Sequence, residues 1–198
     1  KNTKTHRHVG LFLATFLTLA GCSSAPDELT KAPLGPEDNY AQAKALIASG
    51  NFTRATEILS ALDSQFPFGP LSHQVQLDLI YTYYKIEDSD QALARIDRFL
   101  KLNPDHADID YVYYMRGITN MDSDSNVIQE LAGVDRSDRD TLKYRQAFDD
   151  FKTLLKRYPD SKYVTDAKKR MEYIRDRLAR YEISVAQYYM KRDAYVAA

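Results

Sequence analysis

The chain has 198 residues, with 27 basic against 28 acidic, 15 tyrosines, seven glycines, one cysteine and no tryptophan. Near-balanced charge excludes the basic footprint of a nucleic-acid binder, and a single cysteine excludes an internal disulfide. Few glycines, with many Ala, Leu, Lys, Arg and Asp residues, favour helices over a turn-rich β fold.

The first predicted element is a targeting segment over 1–21. Lys1, Lys4 and Arg7 precede an uncharged stretch from Val9 to Ala20, and small residues follow. A basic start, a short apolar core and small residues are the marks of a secretory signal peptide. The core is about a dozen residues, against about 20 for a membrane-spanning helix. It closes in Leu19-Ala20-Gly21-Cys22, which resembles the bacterial lipobox. Cleavage then falls between Gly21 and Cys22, and Cys22 carries a diacylglyceryl group and an N-acyl chain. A plain signal peptide with a chance cysteine is the alternative, but all four positions fit. Residue 23 is serine rather than aspartate, which by resemblance to Gram-negative lipoprotein sorting favours the outer membrane, facing the periplasm. Without Lys1, Lys4 and Arg7, 24 of the 27 basic residues remain against 28 acidic ones, a net of −4. Residues 22–36, rich in Ser, Ala, Pro and Gly, read as a flexible tether.

From 37 to 198 the chain reads as an all-α tetratricopeptide-repeat (TPR) solenoid of antiparallel helix pairs. Ala55, Leu59, Leu62 and Pro67 recur as Ala92, Ile96, Phe99 and Pro104, and again as Ala147, Phe151, Leu154 and Pro159. Offsets of four and seven put three apolar side chains on one helical face, and the proline ends the helix. Partner helices lie upstream, with stripes at Tyr40, Ala43, Leu46, Ile47 and at Leu79, Ile80, Tyr83, Tyr84. Helix, turn, helix and proline at a period near 34 is the TPR pattern. Repeats fall near 37–69, 70–106 and 108–160, the third interrupted by an insertion at about 121–142. An additional helix is expected over 161–180. At 181–198 a last repeat begins and stops inside itself, which predicts exposed apolar surface on the last helix.

Chemistry is sparse. Asp122, Asp124 and Asn126 start like a calcium loop, but Val127 and Gly133 stand where an EF-hand needs glycine and glutamate. No G-x-S-x-G, H-E-x-x-H, P-loop or G-x-G-x-x-G motif is present. The reading is therefore non-enzymatic, with no cofactor and no metal. Tyr81, Tyr84, Tyr111 and Tyr114 fall on the first helices of repeats two and three. With Tyr83 and Tyr113 on the same helices, about half of these tyrosines read as core at helical spacing. Because first helices line the groove in this architecture and tyrosine joins apolar area to a hydroxyl, Tyr81, Tyr84, Tyr111 and Tyr114 are the candidate substrate groove. Asp135, Arg136, Asp138 and Arg139 alternate in sign. They read equally as a solvated loop with weak salt bridges or as a partner loop offering arginine forks.

Phe66-Pro-Phe-Gly-Pro70, Gln74–Tyr81, Ile109–Val112, Tyr114–Gly117, Thr119–Met121 and Gly133–Asp140 carry a family resemblance. With the lipobox in place, the chain resembles the BamD family, TPR lipoproteins of the outer-membrane β-barrel assembly (BAM) machinery. The resemblance implies five repeats and no enzymatic activity. It implies partnership with the barrel-forming channel subunit (BamA), with accessory lipoproteins and with unfolded outer-membrane proteins. In that family the N-terminal repeats are proposed to receive substrate segments, and the C-terminal repeats dock on the channel subunit. A TPR lipoprotein scaffold of another envelope complex, in division or polysaccharide export, is the alternative.

Overall fold

A computed structural model describes residues 35–123 and 137–193, with side chains from 141 onward in the second stretch. The expected signal peptide, Gly21, Cys22 and nearly all of the tether lie outside the described residues. Among the described residues every regular element is an α-helix: α1 (Pro36–Ala48), α2 (Phe52–Gln65), α3 (Ser72–Lys85), α4 (Ser89–Leu102), α5 (Ile109–Asp122), α6 (Ser137–Arg157) and α7 (Val164–Met190). Each packs on its chain neighbours, and α3 also meets α5. The fold is all-α and TPR-like.

Local chemistry sets the helix ends. Pro36 stands in the first turn of α1, where its missing N–H is no loss, so it opens the helix rather than closing the tether. The turn into α2 uses Gly50 at φ +80°, a left-handed conformation that suits glycine. Asn51 then caps α2 by accepting from Arg54 N–H at 3.3 Å. The turn into α4 repeats the device, with Glu87 at φ 61° and Asp88 accepting from Gln91 N–H at 3.1 Å. Such caps are worth about 1 kcal/mol each.

The nine apolar side chains that recur in α2, α4 and α6 are all buried. Phe99 and Phe151 are among the largest of these, and burying one such ring stabilises by ~2 kcal/mol. Helix α3 is buried on two sides. Its Val75 and Leu79 join Ala43, Leu59 and Leu62, whereas Leu77 and Ile80 join the larger cluster that runs on through α4 to α7.

The structure departs from the expected elements in two places. The repeat pattern predicts two helices over 161–198, but α7 runs unbroken from Val164 to Met190. No glycine or proline stands near Ala179-Arg180-Tyr181, so nothing there stops a helix. The insertion expected at about 121–142 is also partly helical: α5 reaches Asp122 and α6 starts at Ser137. Asp138 and Arg139 thus lie in the first turn of a helix instead of a loop, and Asp135 and Arg136 lie outside the described residues.

Candidate functional site

The four tyrosines singled out in sequence lie on α3 and α5, half-buried, packed against the larger core cluster. Tyr81 meets Phe52 edge-on at 5.8 Å between ring centres. Tyr111 packs against Tyr163 at 5.8 Å, and its surroundings drive its phenol far above the ordinary range through burial. Tyr114 stacks on Tyr163 at 4.6 Å. The rings therefore pack on neighbouring elements, Tyr81 on the start of α2 and Tyr111 and Tyr114 on Tyr163 at the start of α7, rather than standing as a free row.

Their hydroxyls reveal a pattern that spacing alone does not show. Tyr40 on α1 donates to Asp78 Oδ2 on α3 at 2.8 Å. Tyr84 on α3 donates to Asp122 Oδ2 on α5 at 2.6 Å. Tyr114 on α5 donates to Asp166 Oδ2 on α7 at 2.7 Å. Each first helix is thus tied to the next by a phenol-carboxylate bond, stronger than a neutral pair. Burial, with the bond to Asp166, pushes the Tyr114 phenol up to about 12. Although burial works the other way, Arg170 and Tyr114 hold the Asp166 carboxyl below its usual range. Arg170 Nε donates to the same oxygen at 2.5 Å, so an ion pair closes the edge of the stacked rings.

A second polar cluster lies between α4, α5 and α6. Arg116 donates through Nε to Asp150 Oδ1 at 2.8 Å and through Nη1 to Asp97 Oδ1 at 3.2 Å. Asp150 is buried, and Asn120 donates to its other oxygen at 3.4 Å. Burial raises the Asp150 carboxyl, and the bonds from Arg116 and Asn120 oppose that rise. The cleft beside this pair, about 460 Å³, is also lined by Lys143 and Gln146. Neighbouring Gly117 lies under the Phe151 ring; a Cβ there would overlap its Cε1 and Cζ atoms.

The sequence reading missed Asp78, Asp150 and Asp166 as partners. One signal was available for Asp78: a charge inside the apolar run from Leu77 to Ile80, buried throughout, requires a partner. His73 and His106 meet edge-on at 5.0 Å, and His106 also packs on Phe99. Nδ1 of His106 accepts from Asp108 N–H at 3.1 Å, so this nitrogen is engaged by the backbone. Among the described residues no group of three His, Cys, Asp or Glu side chains is placed to hold a metal. No described helix is long and apolar enough to cross a membrane.

Residues 34–198 match the family described as YfiO, outer membrane lipoprotein. The chain belongs to this family. Among YfiO relatives, the outer membrane protein assembly factor BamD of Vibrio cholerae is 48% identical over 180 residues, covering 91% of this chain and 74% of the relative. The protein of the same name from Xylella fastidiosa is 38% identical over 190 residues, covering 96% and 65%. That from Neisseria meningitidis serogroup B is 45% identical over 162 residues, covering 82% and 61%. The chain thus spans between 61% and 74% of the length of these YfiO relatives.

Proposed function

We propose that the chain is a non-enzymatic, lipid-anchored subunit of the machinery that assembles β-barrel proteins into the outer membrane. The observation that carries this reading is the family match over residues 34–198 together with 48% identity over 180 residues to a BamD assembly factor. In this reading Cys22 carries the lipid, the chain faces the periplasm, and its helices hold unfolded outer-membrane proteins near the channel subunit, BamA, and the accessory lipoproteins.

The first-helix face is the proposed receiving surface. An unfolded barrel protein offers extended segments whose alternate side chains point to one side. Rings of Tyr81, Tyr84, Tyr111 and Tyr114 supply apolar area for such side chains. Because Tyr84 and Tyr114 spend their hydroxyls on Asp122 and Asp166, they grip through ring faces. Asp135, Arg136, Asp138 and Arg139 are the proposed partner-docking segment.

Affinity purification of the tagged, lipidated protein from detergent-solubilised envelopes, followed by mass spectrometry, tests the assembly role. Co-purification of a large β-barrel protein with periplasmic repeats is the expected result. Recovery of division or polysaccharide-export proteins in its place would overturn it.

A further inference from the structure

Between α2 and α3 the loop Phe66-Pro-Phe-Gly-Pro-Leu71 carries the most exposed large apolar side chain among the described residues: Phe68 is 97% exposed and Phe66 43%. The loop is not slack. Pro67 and Pro70 fix φ at two positions, Gly69 N–H donates to Phe66 O at 3.3 Å, and Ser72 N–H donates to Gly69 O at 3.0 Å. These bonds hold Phe68 away from the core that would otherwise take it. No residue from Phe66 to Ser72 is ionisable, so placing this tip in an apolar medium desolvates no charge.

Topology gives the tip a direction. Helices α1 and α2 form a hairpin across the three residues Ser49–Asn51, and Gln76 near the start of α3 reaches Asp63 near the end of α2 at 3.5 Å. The helices therefore alternate in direction. The end of α2, the start of α3 and the end of α4 share one end of the stack with Pro36, where the chain from Cys22 enters. Leu102, 60% exposed, closes α4 at this same end. At the opposite end, Ser49–Asn51 is polar apart from Gly50, and the turn Ile86-Glu87-Asp88 places two carboxylates beside a half-buried Ile86. Residues 23–35 span at most ~45 Å when fully extended, so a lipid on Cys22 keeps this end within reach of the leaflet that holds it.

From this we infer that the Phe66–Leu71 loop is a membrane-contact wedge, with Phe68 entering the phospholipid leaflet that carries the anchor. The inference rests on the proposed lipidation of Cys22. A protruding, charge-free aromatic tip so fully exposed asks for an apolar medium. Tethering makes a weak insertion effective, because the tip never has to find the bilayer. A second contact would also orient the helical unit, which a single flexible attachment cannot do.

The absence of tryptophan makes the test clean. Phe68→Trp and, separately, Ala48→Trp at the far end of α1 are introduced into the full lipidated chain. The proteins are reconstituted in vesicles of phosphatidylethanolamine and phosphatidylglycerol, with and without brominated acyl chains. Flotation reports the anchor, and tryptophan emission reports the wedge. The expected result is flotation of both variants, with a shift to shorter wavelength and loss of intensity on brominated lipid for F68W alone. Flotation with water-like, unquenched emission from F68W would overturn the wedge and leave the anchor standing. Equal quenching of both variants, or burial of the F68W indole only after other envelope proteins are added, would also overturn it. Failure to float would overturn the anchor reading, and the wedge with it.

Discussion

Gly117 shows how one atom sets the distance between two helices. Glycine inside a helix costs about 1 kcal/mol relative to alanine, yet here it makes room for the Phe151 ring. Gly117→Ala should therefore destabilise the fold by ~1–3 kcal/mol despite better helix propensity; a raised melting temperature would contradict this packing. Arg116 works by charge. Truncating it leaves Asp150 buried with only Asn120 as partner, so Arg116→Ala should cost ~3 kcal/mol. A denaturant midpoint unchanged from the parent would show that the pair contributes nothing. Tyr114 gives a pH dependence. Its folded pKa of about 12 lies above the ordinary value of 10. Its contribution is therefore complete below pH 10 and lost as pH rises toward 12. Tyr40, Tyr84 and Tyr111, also raised by burial, lose their contributions in the same window. Tyr114→Phe should therefore make that part of the stability profile shallower, and an identical slope in both proteins would refute the assignment.

Helices were legible where period and punctuation agree. Ala92, Ile96 and Phe99 repeat at helical spacing and Pro104 follows the end of α4, so both the buried face and the stop can be read locally. The turn at Gly50-Asn51 is likewise written in glycine and a capping side chain. The partners of Tyr40, Tyr84 and Tyr114 were not legible, because each lies 38 to 52 positions away and no local period encodes a phenol-carboxylate bond. Continuity of α7 through Ala179 was missed for the opposite reason: the repeat pattern demanded a break that no residue supplies. At this scale the ladder from α1 to α7 changes what the tyrosines mean. Loss of Tyr84 removes a ring and also the bond to Asp122, whereas Tyr81 meets Phe52 by ring contact. Tyr84→Phe should therefore lower the melting temperature while largely preserving the ring surface. A fall in peptide affinity as large as that of an alanine variant would show instead that the hydroxyl itself contacts substrate.

At the scale of the molecule, the helical unit combines a rigid stack with two kinds of exposed apolar surface. One is the Phe68 tip. The other is the last part of α7, where Ile183, Tyr188, Tyr189 and Met190 are exposed, as expected for the last described helix. Among the described residues, the polar clusters between helices are built of ion pairs and phenol-carboxylate bonds that hold helices together. A scaffold that receives extended chains on its first-helix face is the reading this distribution favours. The most direct test of that claim is site-specific photo-crosslinking in cells, with a benzophenone amino acid in place of Tyr81 on α3 or, as control, exposed Glu57 on α2. Crosslinks from position 81 to unfolded outer-membrane proteins, increased when their assembly is blocked, and few from position 57, are the expected result. Absence of such crosslinks at 81, or equal yield at both positions, would contradict it.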